Sequence, residues 1–259
     1  MLENEAEYIK YYSIIVKEVL SQDFLADDTT IAAELALIDK VSSYNPKLSE
    51  QIKLYLNIAM YLVADSSDKG RYKNYFRLHR KRKEPFKTPV VIVAGGASRM
   101  DETKTDKYLE YIRELMQGFS GTIISGGTTA GIPGLVGQVK AEMQKQTPVD
   151  FDLLAYLPEY LPKEAAKSTA YDHFYETACD HFSVIEVLSY WCDLVDNGIH
   201  PKDVILVGIE GGVIASMEYR IALSLGAKVA LVANSGRAVD NLLQDETWKN
   251  HRNLMVLEF

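Results

Sequence analysis

The chain has 259 residues, 47% hydrophobic and 25% charged, enough for one large domain or two smaller ones. Its formal net charge of -8 argues against a general nucleic-acid binder, which needs a net basic face, but leaves room for a local pocket that takes an anionic small molecule. Cys179 and Cys192 are too few and too far apart for a metal site or a disulfide framework, so no metal is expected, and no cofactor is called for. A reduced, cytoplasmic setting fits, with Cys192 as a buried helix residue. No apolar run approaches the ~18 residues of a membrane span, and the acidic start Met1-Leu2-Glu3-Asn4-Glu5 lacks a signal-peptide pattern.

Residues 1–84 read as a helical region. Apolar residues recur at helical spacing over 5–20 (Tyr8, Tyr11, Tyr12, Ile15, Val19), 30–41 (Ile31, Leu35, Ile38) and 47–63 (Leu48, Ile52, Leu56, Met60). Asp28, Thr29 or Thr30 suits the cap of the second stretch, and Asn45-Pro46 separates it from the third. This predicts a small bundle or an arm. The tyrosine-rich stripe reads first as core packing and second as a face for homo-oligomerisation. The basic stretch that follows (Arg71, Lys73, Arg77, Arg80, Lys81, Arg82, Lys83, Lys87) reads as a solvated helix end entering a linker, ahead of a contact with an anionic partner.

Past Pro89 the texture changes. Short apolar runs at 90–94, 122–125, 151–156, 204–207, 228–233 and 254–257 alternate with helical periodicity over 103–118, 134–146, 183–197, 216–225 and 238–245. Continuous apolar strands separated by helices imply a sheet covered on both faces. The expected fold of residues 85–259 is therefore α/β, a Rossmann-like, mostly parallel sheet flanked by helices. Right-handed crossovers place every strand C-terminus on one edge, where such folds bind ligands.

Glycine-rich turns follow several of these strands. The first is Ala94-Gly95-Gly96-Ala97-Ser98-Arg99, whose glycines admit an anion close to the backbone while Ser98 and Arg99 offer donors. The second, from Ser125 to Gly137, contains Gly126, Gly127, Thr128, Thr129 and Gly131 before a helix, an arrangement suited to phosphate at a helix N-terminus. It is neither a P-loop nor a Gly-x-Gly-x-x-Gly fingerprint. The third contains Gly211 and Gly212 after Glu210, followed by Glu218 early in the next helix, where a carboxylate can meet a ribose hydroxyl or act as a general base. A lesser turn, Asn234-Ser235-Gly236-Arg237, adds Ser235 and Arg237. The bland reading of each is tight helix–sheet packing. Their shared edge is what favours a single ligand crevice.

The motifs Ser125–Gly137, Gly208–Gly212 and Glu218–Gly226 resemble the SLOG superfamily, the Rossmannoid group that includes the DNA-processing Smf proteins, the Lonely Guy phosphoribohydrolases and the sensor region of melastatin-type TRP channels. The prokaryotic branch of the TRP-associated domains is the nearest in pattern, supported by Ala155-Tyr156-Leu157-Pro158, a long insert after it, and Asn234-Ser235-Gly236-Arg237 with Trp248. The resemblance implies recognition of a nucleotide-derived ligand such as an ADP-ribose-like or cyclic nucleotide, often as a sensor in signalling or antiviral defence. Lonely Guy enzymes carry Pro-Gly-Gly-x-Gly-Thr-x-x-Glu where this chain has Glu210 to Glu218. The two glycines and the glutamate keep their spacing, but Ile214-Ala215 replace Gly-Thr. The helix on which those enzymes carry an arginine reads Val187-Leu188-Ser189-Tyr190-Trp191-Cys192-Asp193 here, with no basic residue. Binding without turnover is the leading expectation. The alternatives are a nucleotide N-glycosidase using Glu218 as acid/base, and a scaffold that takes no ligand and works through its N-terminal helices. The insert 159–180, with Tyr160, Tyr171, His173, Phe174, Tyr175 and His181, is expected to cover the crevice and stack on a base or ribose.

Overall fold

The computed structural model of the chain describes residues 86–97, 100–177 and 181–258. The three helices expected within 1–84, most of the basic stretch, Ser98, Arg99 and Cys179 lie outside the described residues. One compact unit comprises Glu84–Val187 and Asn197–Phe259 and holds the whole sheet.

The β-branched runs become strands β1 (Val90–Gly95), β2 (Ser120–Ser125), β3 (Asp150–Pro158), β5 (Val204–Ile209), β6 (Lys228–Val232) and β7 (Leu254–Leu257). A further strand, β4 (His173–Thr177), lies within the insert. The insert is therefore a mixed element, part strand and part loop, where the sequence suggested a cover alone. The seven strands pair in the order β4-β3-β2-β1-β5-β6-β7, every pair parallel. Val90 to Ala94 and most of β2, β3, β5 and β6 are buried, as a sheet covered on both faces requires.

Helices α1 (Thr105–Met116) and α2 (Gly131–Gln146) pack on each other, and α4 (Val213–Leu225) packs on β5, β6 and α5 (Arg237–Gln244). Helix α3 (Val184–Asp196) joins β4 to β5. It begins with a capping box in which the Ser183 N–H donates to Glu186 Oε2 at 2.7 Å and the Ile185 N–H to Ser183 Oγ at 3.1 Å. The Thr177 hydroxyl at the end of β4 also meets Glu186, and burial raises that carboxyl above its ordinary pKa. Lys140 is buried on α2, pairs with Asp172 at 2.5 Å, and so ties the insert to the helix layer. Lys87, the last member of the basic stretch, pairs with Asp152 at 2.9 Å.

Strand order locates the crevice. From β1 the chain steps outward through β2, β3 and β4, then returns to place β5 on the other side of β1 and steps outward again. Neighbouring strands β1 and β5 thus lead away in opposite directions, the topological switch point at which open α/β sheets bind ligands. Their register sets Gly95 opposite Ile209, which brings the Gly95-Gly96 and Glu210-Gly211-Gly212 turns side by side.

Candidate functional site

Turns from four adjacent strands (β2, β1, β5, β6) meet at the C-terminal edge, and they differ in how many backbone donors they leave open. The β2–α2 turn is stitched closed. The Ile132 N–H donates to the Gly96 carbonyl (2.9 Å), the Thr129 N–H to Ala166 (2.9 Å) and the Gly134 N–H to Ala130 (3.3 Å), while Pro133 has no N–H to offer. Thr128 is buried, with its hydroxyl 3.2 Å from the Ala130 carbonyl, and forms an isolated bridge with Lys167 of the insert. Gly127 lies under Ala155, Leu157 and Phe174, where a methyl group would come within 2.5 Å of Ala155 Cβ. Gly126 faces the Pro133 ring, and Thr129 is exposed. Gly131, at φ 62°, abuts the β1 turn: a Cβ there would overlap the Gly96 carbonyl oxygen and lie 2.7 Å from Ala97 Cα. The β1 and β2 turns are therefore welded by backbone contact, and Ile132 fills the space beside Gly95.

The insert crosses this second turn rather than the switch point. Its Ser168 N–H donates to the Gly127 carbonyl at 2.9 Å, and the buried Tyr171 hydroxyl donates to the Pro133 carbonyl at 2.9 Å. Burial pushes that phenol well above its ordinary pKa. Phe174 packs near Tyr171 and Tyr175 near Tyr156, so these rings serve the edge of the sheet. Tyr160 is exposed.

The β5–α4 turn is different. Gly211 adopts φ 101° close against Ala215, and Gly212 is the N-cap of α4 with no side-chain capping bond. The Ser216 N–H already donates to the Gly212 carbonyl, so the unclaimed donors belong to the residues between, Val213, Ile214 and Ala215. An uncapped end of a 13-residue helix carries partial positive charge. Val213 stands 75% exposed at that end, so the approach to these amides is open. Arg237, exposed at the start of α5, brings its Nη2 to 3.3 Å from where a Gly212 side chain would begin. Glu218 is half-buried on the second turn of α4.

Behind the open turn lies a polar knot. Glu210 is 1% exposed and holds a left-handed φ of 54°, which for a non-glycine residue costs roughly 1–2 kcal/mol. Its Oε1 accepts the Asp101 N–H (3.0 Å) and the Tyr108 hydroxyl (2.8 Å), its own N–H donates to Ser235 Oγ (2.9 Å), and its carbonyl accepts from Tyr219 (3.3 Å) and the Val239 N–H (3.1 Å). The Tyr108 hydroxyl also reaches the Ser235 carbonyl at 3.1 Å. Burial, and then the hydrogen bond to Glu210, raises the Tyr108 phenol above its ordinary range, and burial does the same to Tyr219. Ser235, predicted as a ligand contact, is buried here as the link between the β5 and β6 turns. Asn234 (φ 58°) and Arg237 (φ 56°) share the left-handed conformation of Glu210, so three strained positions gather on the ends of two neighbouring strands. Sequence reasoning passed over Glu210. Its signal was a carboxylate closing an apolar strand just before paired glycines.

Among the described residues no group of three or more His, Cys, Asp and Glu could hold a metal ion, and no helix is long and apolar enough to cross a membrane.

The strand order and the switch point define a Rossmann-like α/β domain. Residues 88–154 match the family described as LSDAT_prok, SLOG in TRPM, prokaryote. A search of curated proteins returns no match. Among solved structures, the crystal structure of TM1055 is similar at 19% identity, covering 66% of this chain and 92% of that one, with a TM-score of 0.47. The molybdenum cofactor carrier protein of Chlamydomonas reinhardtii is similar at 16% identity, covering 65% and 88%, with a TM-score of 0.46. The molybdenum cofactor binding protein of the phototrophic bacterium Rippkaea orientalis is similar at 17% identity over 65% and 88%, with a TM-score of 0.44.

Proposed function

We propose that the domain binds a nucleotide or nucleotide-derived ligand and serves as a sensing module, with a phosphate of the ligand seated on the N-terminal amides of α4 and against Arg237. One observation carries this reading: the uncapped start of α4 sits at the switch point with a guanidinium beside it. Amide donors and helix charge favour an anion there, and the arginine adds a planar donor pair. The Gly95-Gly96 turn completes the β1 side of the crevice. In this reading Gly126, Gly127, Thr128, Thr129 and Gly131 shape the neighbouring wall, because their turn spends its own donors on the chain. The SLOG family supplies the nucleotide class.

Thermal melts of the full chain with ADP-ribose, NAD, cyclic nucleotides and pyrophosphate test it. A ligand at a hundred times its Kd stabilises by about 2.7 kcal/mol, or roughly 5–10 °C for a domain of this size. No shift across that panel overturns the reading. Glu218 keeps the glycine-to-glutamate spacing of the phosphoribohydrolases on the same helix, which favours a hydrolytic variant of this function. Release of free base during incubation with nucleoside monophosphates, lost in Glu218→Ala, would establish that variant.

A further inference from the structure

The buried carboxylate of Glu210 is only half used. Oε1 takes two donors, whereas Oε2 is shielded from solvent and has no hydrogen-bond partner among the described residues. Buried carboxylate oxygens are nearly always satisfied, because an unmet acceptor forfeits its hydration with nothing in return. The residue also holds a left-handed backbone at the end of β5, directly before the open start of α4. Two unfavourable features thus coincide at the switch point.

We infer that Glu210 Oε2 is a specificity-determining acceptor for the ligand proposed above, receiving a hydroxyl of its sugar. The inference rests on the phosphate reading of α4 and names a second feature of the ligand. An anion alone would be repelled by a carboxylate beside it. A phosphorylated sugar resolves the conflict, since its phosphate meets the α4 amides and Arg237 while a hydroxyl on the far side of the sugar ring donates to Glu210. Glu210 is 1% exposed, so the hydroxyl reaches it from within the crevice.

Calorimetric titration of the full chain with pyrophosphate, ADP, 2′-deoxy-ADP and 3′-deoxy-ADP tests the inference without altering the protein. A hydrogen bond to a charged acceptor corresponds to a loss of about tenfold to a hundredfold on removing the right hydroxyl. One deoxy compound is therefore expected to bind that much more weakly than ADP. Glu210→Gln, checked for folding by its melting curve, is expected to shrink this gap while pyrophosphate binds at least as tightly as to the parent. If all three ADP forms bind equally, the Glu210 assignment is wrong and the phosphate site stands. If pyrophosphate and all three nucleotides fail to bind, both fall together.

Discussion

A single methyl group, added at either of two glycines, separates the open turn from the closed one. At Gly212 the new Cβ would meet only Arg237 Nη2, at 3.3 Å, the far end of a flexible side chain. The backbone there has φ -101°, so alanine adopts it without strain. Alanine is a poorer N-cap than glycine, but it also restricts the unfolded chain, and the two effects leave stability within about 1 kcal/mol of the parent. The melting temperature should therefore stay within about 4 °C. The methyl does stand at the start of α4 beside the guanidinium, where the proposed anion sits. Loss of one charge-assisted hydrogen bond, about 1.5–3 kcal/mol, weakens ADP-ribose or pyrophosphate binding roughly tenfold to 150-fold. At Gly131 the outcome reverses. Its φ of 62° and the overlap with the Gly96 carbonyl mean that Gly131→Ala adds left-handed strain and forces two turns apart. Together these cost roughly 2–5 kcal/mol, a fall in melting temperature of about 5–15 °C. Calorimetry and thermal melts on both variants read the two effects separately. Parent-like affinity in Gly212→Ala would refute the placement of the anion, and a parent-like melt of Gly131→Ala would refute the weld.

Arg237→Gly should keep its stability within about 1 kcal/mol of the parent, because relief of the φ 56° conformation offsets the loss of the side chain's contacts, yet lose about tenfold or more in anion affinity. Unchanged affinity by titration would remove Arg237 from the site. Tyr108→Phe deprives Glu210 Oε1 and the Ser235 carbonyl of a buried donor, and a cost of about 1–3 kcal/mol should appear as a lower denaturant midpoint at constant slope. A midpoint equal to that of the parent would show the knot to be dispensable. Burial, then the charge of Arg252, depresses the His251 pKa, and its Nδ1 accepts the Asn253 N–H at 3.2 Å, which requires that nitrogen to be unprotonated. The unfolded chain then takes the proton first, so this contribution is present above the unfolded value of about 6.5 and is lost as pH falls through the lower folded value. Melting temperatures measured from pH 7 to pH 5 should fall more steeply for the parent than for His251→Asn, and equal slopes would contradict the assignment.

Most of the sheet was legible because its strands are buried on both faces and read as unbroken β-branched runs. Val90–Gly95, for example, was expected over 90–94 and is buried from Val90 to Ala94. Strand β4 escaped because His173-Phe174-Tyr175-Glu176-Thr177 lies at an edge, half exposed and polar at alternate positions, inside an insert whose aromatics suggested a cover. Helix α2 begins at Gly131, before the predicted residue 134, since glycine and proline read as a turn although Pro133 fits a first helical turn at no cost in hydrogen bonds. The glycine turns were visible as a set. Which of them keeps its amides free was not, because that depends on partners far away in sequence: Ala166 for Thr129, and Gly96 for Ile132. Glu210 was hidden for the same reason, as its partners Asp101, Tyr108 and Ser235 come from three separate segments.

Backbone amide shifts during a titration of the isotopically labelled chain with pyrophosphate report on the donors themselves. Phosphate seated on α4 should move the amides of Gly212, Val213, Ile214 and Ala215 first and furthest, with those of Thr129, Ile132 and Gly134 nearly still. The largest shifts at the β2–α2 turn instead, or no saturable shift anywhere on the sheet's C-terminal edge, would contradict the placement of the ligand.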